Sequence, residues 1–428
     1  MALAATTVVP PLAQASYPQV PAPRHSAAPV ADDQVNAPVP TIDWLSCLDG
    51  EDADYECGVA RVPLDYDRPN GPTIRLTVLR RLADRPEKKI GSLFVNPGGP
   101  GGSAAEAVPY FAADLSKKVR QRFDIVGIDP RGVGSSTPVR CKSDRRPPRY
   151  PNTAFPLTAE QARPHIRFSN WLTVACRENH NPVLDHMSTA DTARDMDLIR
   201  QALGEQQLNF LGISYGTYLA ATYAAMFPTR VRAVIADGVL NPVSWATGRG
   251  DRDRLPFSTR LGSGVGAWEA LTSAFAECDR VSKSRCVLSG HSTEKWERII
   301  AKLRRGPVSI DGGKLNYSYF VAGTLGPLYS RGAYKYIMRD IQWVYEQLFD
   351  TKQQRVSTKQ DVLANFTRRA ERWPTHPYGS FSSRRSSPAS TADSQLGRPF
   401  SPNFQGVACS DNCQSRQPSA LDTGWSLR

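Results

Sequence analysis

The sequence contains no apolar run of about 18 residues or more, so we expect no transmembrane helix. It also lacks a stripe of interleaved aromatic and basic residues, which argues against a nucleic-acid-binding module. The formal net charge of +12 is spread along the 428 residues and is typical of a basic, solvated surface. We therefore expect neither a membrane span nor a nucleic-acid partner.

Metal and phosphate signatures are missing as well. The eight cysteines form no paired C-x-x-C blocks, and the spacing from Cys409 to Cys413 alone is a weak metal signal. The glycine-rich stretch after Asn96 does not end in the Gly-Lys-Ser/Thr by which a P-loop holds phosphate. We expect no metal and no cofactor.

The cysteines have an even count and some short spacings, such as 47/57 and 278/286, which favour disulfides in an oxidising compartment. Residues 1–15, MALAATTVVPPLAQA, resemble the apolar part of a signal peptide that ends at an A-x-A-like site, although a basic leading segment is missing. These features predict a secreted, extracellular protein.

The chain is organised around residues 208–226, LNFLGISYGTYLAATYAAM. A strand-like apolar run ends in a G-x-S-x-G, and a helical pattern follows. Small residues on both sides of the serine let the backbone turn sharply from strand to helix, so that the hydroxyl stands clear of the sheet. The helix start directs N–H groups and its positive dipole end to the same point. We predict that Ser214 is a nucleophile, with an ordinary tight turn as the alternative.

Strands and helices alternate on both sides of this stretch. Residues 92–103 and 123–136 each read as a buried strand that runs into a glycine-rich turn, 188–203 as an N-capped amphipathic helix, and 231–238 as a further strand. This alternation predicts an α/β fold with a doubly wound, mostly parallel sheet. Upstream, the alternation of apolar and polar residues over 57–81 predicts an antiparallel hairpin.

Composition divides the chain further. We predict a signal-like, disordered leader over residues 1–40 and an α/β core over 41–242. A helical cap is expected over 243–405, with a mobile Ser/Arg-rich loop at 377–403, and a truncated return to the core over 406–428.

A serine nucleophile also needs N–H donors for the oxyanion, a base, and a group that orients the base. The glycines at 98–102 follow the first of the buried strands and let the backbone approach a substrate without a Cβ in the way. We expect this loop to supply one donor and the N–H of Tyr215 to supply the other.

Three motifs occur in the order NPGGPGGS, FDIVGIDPRGVGSSTPVRC and ARDMDLIRQALGEQQLNFLGISYGTYLAATYAAMFPTRVRAVIADGVLNP. Together they resemble the bacterial secreted tripeptidyl aminopeptidases, which are α/β-hydrolase serine peptidases related to proline iminopeptidases. The resemblance extends from about Trp44 to Cys413. It implies an α/β-hydrolase fold with an inserted helical cap, Ser214 as the acylated nucleophile, and Gly99 with Tyr215 in the oxyanion hole.

The same resemblance implies substrates and covalent links. The substrates would be peptides with a free N-terminus, from which short peptides such as tripeptides are released through an acyl-enzyme. The implied disulfides are Cys47–Cys57, Cys141–Cys176 and Cys278–Cys286.

The acid and the base are the weakest part of the pattern. In this fold they follow the cap on the last strands, but few residues remain after 406–411 and none is histidine. We therefore expect that the C-terminal strands and a complete triad are missing, and that uncovered apolar surface lowers solubility. Of the histidines after Ser214, His291 and His376, neither has a strand-end context. Asp237 and His376 remain as weak candidates for acid and base.

Other readings stay open. An esterase-like α/β-hydrolase, or a vestigial protein without catalysis, would share the elbow and the glycine loop. An aminopeptidase should place a carboxylate near the cationic substrate N-terminus, and Glu269, Glu277 and Asp340 are available. The sequence does not indicate an oligomeric state.

Overall fold

The computed structural model describes residues 34–45, 47, 54–141, 143–149, 155–178, 181–310, 313–329, 331–350 and 362–364. Apart from Gln34, these residues belong to one compact unit within 35–428. The predictions made for the leader before Gln34, for the loop at 377–403, for 406–428 and for His376 lie outside the described residues. Of the helices that the structure describes, none is long and apolar enough to cross a membrane.

The strands are β1 (Ile42–Leu45), β2 (Tyr55–Pro63), β3 (Thr73–Arg81), β4 (Gly91–Asn96), β5 (Phe123–Ile128), β6 (Leu208–Ile213), β7 (Val231–Asp237), β8 (Val308–Ile310) and β9 (Gly313–Leu315). The first seven form one sheet in the order β1-β2-β3-β5-β4-β6-β7. The hairpin of β2 and β3 is antiparallel, whereas β5, β4, β6 and β7 run parallel. The predicted doubly wound, mostly parallel sheet is confirmed.

The α-helices are α1 (Ala104–Asp114), α2 (Lys117–Arg120), α3 (Ala159–Glu178), α4 (Thr189–Ala202), α5 (Tyr215–Met226), α6 (Pro242–Ala246), α7 (Phe257–Leu261), α8 (Ser263–Asp279), α9 (Ser292–Arg304), α10 (Tyr317–Leu325) and α11 (Tyr334–Phe349). Helix α4 begins where its sequence predicts, because the Ser188 hydroxyl accepts the N–H of Asp191. Ser103 caps α1 in the same way through the N–H of Glu106.

Helices cover both faces of the sheet. On one face, α1 packs Val108 and Phe111 against residues of β4 and β5. On the other, α4 and α5 pack against Phe94 of β4 and Phe210 of β6, which are paired in register. Because β4 and β6 are parallel neighbours, the loop after β4 and the turn after β6 meet at the same edge of the sheet. That edge carries the candidate site.

Residues after β7 build a second apolar cluster. Helices α8, α9, α10 and α11 bring together Phe275, Trp296, Phe320 and Ile341. The short antiparallel hairpin of β8 and β9 in this region was not predicted, because three residues per strand are too few to show an alternation. The cap boundaries at 243 and 405 remain a prediction.

Candidate active site

Ser214 lies between the end of β6 and the first residue of α5, with φ 56° and ψ −122°. A positive φ is uncommon for a residue with a side chain and marks a strained corner. The glycines two residues before and after Ser214 permit this tight corner. A Cβ on Gly212 would lie only 2.3 Å from the carbonyl oxygen of Gly216, so a larger residue would not fit there. The structure thus has the sharp strand-to-helix corner that the motif predicts, with Ser214 half-buried.

The glycine loop after β4 packs directly against this corner. Gly98 has φ 88°, and a Cβ on it would lie 3.0 Å from the Cβ of Ser214 and 3.0 Å from the backbone nitrogen of Tyr215. The Oδ1 atom of buried Asn96 accepts the N–H of Gly98 at 2.9 Å, and the N–H of Gly102 donates to the Gly98 carbonyl at 3.1 Å. These bonds hold the loop in one shape beside the serine.

The two residues expected to supply the oxyanion donors therefore come from segments in contact. Gly99 is buried and has φ 119°, a conformation that glycine alone adopts readily. The ring of Tyr215 is buried, its hydroxyl is hydrogen-bonded to Thr189 Oγ1, and it packs 5.5 Å from the ring of Trp245. Its side chain belongs to the core, so the part of Tyr215 next to the serine is its backbone at the positive end of α5.

A buried carboxylate supports the loop, and sequence reasoning missed it. Asp129, directly after β5, accepts the Ser103 hydroxyl at 2.6 Å, the N–H of Ala105 at 3.0 Å and the N–H of Ser135 at 3.1 Å. Burial raises the pKa of Asp129, and these hydrogen bonds act in the opposite direction. Asp129 thereby ties the start of α1, where the glycine loop ends, to the turn after β5. Its position at a strand end in the second glycine-rich motif was the available signal.

Of the residues considered as acid or base, the structure describes Asp237 and His291, and neither side chain is hydrogen-bonded to Ser214. The carbonyl oxygen of Asp237 accepts the Ser214 N–H at 2.8 Å, but its carboxylate is exposed and makes no hydrogen bond within the described residues. His291 is 83% exposed and lies 3.8 Å from Glu294. In the part of the chain that the structure describes, no histidine is hydrogen-bonded to Ser214.

The carboxylates considered for a substrate N-terminus have different surroundings. Glu277 is exposed and pairs with Arg280 at 2.9 Å, and Glu269 is also exposed. Asp340 is buried, 3.5 Å from Arg339. Searched over the described ranges, the protein has no group of three or more His, Cys, Asp or Glu side chains able to hold a metal ion.

Three disulfides join the cysteine pairs that the resemblance implied. The Cα–Cα distances are 5.2 Å for Cys47–Cys57, 4.4 Å for Cys141–Cys176 and 5.5 Å for Cys278–Cys286.

Comparison with known proteins places this site in context. The alpha/beta hydrolase fold family matches residues 91–259, which include both the glycine loop and the elbow. A tripeptidyl aminopeptidase of Streptomyces lividans is 38% identical over 247 residues, covering 53% of this chain and 43% of the relative. The serine protease Hip1 of Mycobacterium tuberculosis is 33% identical over 320 residues, covering 69% of this chain and 57% of the relative.

A carboxylesterase B of Mycobacterium tuberculosis is 33% identical over 324 residues, covering 72% of this chain and 60% of the relative. The chain thus spans about half the length of the curated relatives it matches, from 43% to 60% in these three comparisons. The described part of the chain has the α/β-hydrolase fold, and its sequence is similar to those of the tripeptidyl aminopeptidases.

Proposed function

We propose that this chain is a serine hydrolase of the peptidase type, which is acylated on Ser214 and releases short peptides from the N-termini of its substrates. The observation that carries the proposal is the strained backbone of Ser214, at φ 56°, packed against the glycine loop. A serine held only for structure would not require this corner, because strain of this kind costs about 1–3 kcal/mol and concentrates at functional sites.

The residues have separate roles in acyl transfer. The Oγ of Ser214 attacks the substrate carbonyl carbon, its proton passes to a base, and the carbonyl oxygen becomes an oxyanion that accepts the N–H groups of Gly99 and Tyr215. Collapse of this intermediate breaks the C–N bond, and the leaving amine takes the proton. Water then attacks the acyl-enzyme and frees Ser214. Each oxyanion donor is worth about 3 kcal/mol of transition-state stabilisation.

The substrate class rests on the relatives. Tripeptidyl aminopeptidase is the name of relatives that are 38% identical, which supports peptides with a free N-terminus as substrates. The match to a carboxylesterase B supports an ester substrate as the second candidate. The three disulfides support function in an oxidising, extracellular compartment.

The base and the acid that orients it are proposed from the sequence. Asp237 and His376 are the candidates in the chain, and the exposed carboxylate of Asp237 is poorly placed to orient an imidazole. A serine that has lost its base retains only about 10³- to 10⁴-fold catalysis over water from the oxyanion hole and binding. Turnover that falls to this level in His376→Ala but is kept in the control His291→Ala would identify His376 as the base.

A fluorophosphonate probe tests the nucleophile, because it labels only activated serines. We expect labelling of the intact chain at Ser214 and none in Ser214→Ala, with peptide mapping to locate the adduct. Absence of labelling in a folded chain would contradict the proposal and favour a vestigial protein. Tripeptidyl and simple acyl ester reporters, compared by kcat/KM, then separate the peptidase from the esterase.

A further inference from the structure

Asp129 is a buried carboxylate to which the proposed acyl transfer assigns no role. It is 2% exposed, and among the residues that the structure describes no cationic side chain forms a salt bridge with it. Its hydrogen bonds come from neutral donors, namely the Ser103 hydroxyl and the N–H groups of Ala105 and Ser135. Burying a charge without a counter-ion is costly. The donors that it holds explain the charge, because a charged acceptor forms stronger hydrogen bonds than a neutral one.

The two oxygens of this carboxylate join the end of the glycine loop to the turn after β5. Oδ1 accepts the Ser103 hydroxyl at 2.6 Å and the Ala105 N–H at 3.0 Å, at the start of α1. Oδ2 accepts the Ser135 N–H at 3.1 Å. The turn packs directly on the carboxylate, because a Cβ on Gly134 would lie 2.1 Å from Oδ2. The carboxylate therefore lies in a space that both segments enclose.

Gly99 lies between two anchored points of the chain. Before it, the Oδ1 atom of Asn96 accepts the N–H of Gly98 at 2.9 Å, and after it Asp129 holds Ser103. Glycine has little conformational preference of its own, whereas an oxyanion donor must lie about 2.7–3.1 Å from the oxygen that it stabilises. The direction of the Gly99 N–H therefore depends on the side chains that hold the loop at its two ends.

We propose that Asp129 is a positioning residue of the oxyanion hole, which fixes the Gly99 N–H through Ser103 and the first turn of α1. The buried carboxylate itself does not reach the substrate. Its effect falls on the transition state, because the oxyanion forms only when the substrate carbonyl is attacked. This inference rests on the proposed function.

Fluorophosphonate labelling and hydrolysis of an ester reporter test this role, since both place an oxygen in the oxyanion hole. Asp129→Asn keeps the size of the side chain but removes its charge. We expect it to lower kcat and the first-order rate of labelling about 100-fold, the usual effect of a displaced catalytic group, while KM and the probe's binding constant change little.

Asp124→Asn is the matched control. Asp124 is also 2% exposed, but it lies near the start of β5, at the opposite end of the strand, and accepts the Ala83 N–H at 2.9 Å and the Lys89 ammonium at 2.6 Å. Its replacement should lower stability and leave both rates unchanged. Urea denaturation establishes that each variant is folded.

Ser103→Ala removes the hydroxyl that links Asp129 to the loop, and it decides the question if Asp129→Asn does not fold. We expect labelling to slow about tenfold, and the double variant to be little slower than Asp129→Asn, because both changes break the same hydrogen bond. A parent chain that does not label would contradict the proposed function and with it this inference. A parent chain that labels, with folded Asp129→Asn or Ser103→Ala labelling at the parental rate or losing only affinity, would overturn the positioning role alone.

Discussion

A Cβ on Gly98 would lie 2.4 Å from the carbonyl oxygen of Ile213, the residue before the candidate nucleophile. Both groups belong to backbone, so neither can move aside without shifting the loop or the elbow. This close approach of the loop after β4 to the end of β6 brings the segments of Gly99 and Tyr215, the two expected oxyanion donors, into contact.

The substitution Gly98→Ala should damage both stability and reactivity. A positive φ of 88° and the contact with Ile213 together predict a loss of about 2–4 kcal/mol in the free energy of unfolding. Urea denaturation measures this, and the rate of fluorophosphonate labelling should fall with it. Gly250→Ala is the control, because Gly250 has φ 56° but no atom within 4 Å of a Cβ. Equal losses in the two variants would show that the contact is unimportant.

Because Arg131 and Asp195 form a buried ion pair, we expect the effects of their substitutions on the free energy of unfolding not to be additive. Asp195 is bonded to Arg131 at 2.7 and 2.8 Å and to the hydroxyl of Tyr66 at 2.6 Å. Arg131→Met leaves the buried carboxylate of Asp195 without its cation and should lower the free energy of unfolding by about 3–5 kcal/mol. The double variant Arg131→Met with Asp195→Leu should lower it by less. Denaturation of both variants checks this. Arg280→Met, which breaks an exposed pair, should cost less than about 1 kcal/mol.

Asp279 predicts a pH-dependent contribution to stability. Its carboxylate accepts the Ser292 hydroxyl at 2.6 Å and the N–H groups of Ser292 and Gly290 at 3.0 and 2.8 Å, at the start of α9. Partial burial raises its pKa, but these hydrogen bonds outweigh burial and hold the pKa below the ordinary 3.8. Because the folded pKa is the lower one, the stabilisation is present above pH 3.8 and is lost as the pH falls through the folded pKa.

Asp279→Ala should therefore lower the unfolding free energy near neutral pH by about 0.5–1 kcal/mol, the lower end of the range for a side chain that caps a helix start, because solvent screens this exposed carboxylate. The difference from the parent chain should shrink in acid. Thermal unfolding near neutral pH and in acid measures this difference, and Glu277→Ala, at an exposed residue, is the control. A deficit that stays constant into acid would argue against an ionised cap.

The sequence predicted the features that depend on a few neighbouring residues. Ser188 begins α4 and the G-x-S-x-G turns the chain at Ser214, because a cap or a corner is decided within one turn of backbone. The parallel sheet followed from the alternation of strands and helices. The role of Asp129 did not follow from such a pattern, because its carboxylate accepts hydrogen bonds from residues that lie 24 and 26 positions away along the chain.

By itself, the sequence determined the strands and helices of the core, the strained corner at Ser214 and the glycine loop that can approach it. Only the tertiary structure decided that Gly98 lies against Ile213, that Asp129 supports the loop, and that β4 lies between β5 and β6 in the sheet. The reason is physical. Local backbone preferences act over a few residues, whereas strand order and burial depend on groups that are distant in the chain and meet only when the sheet is assembled.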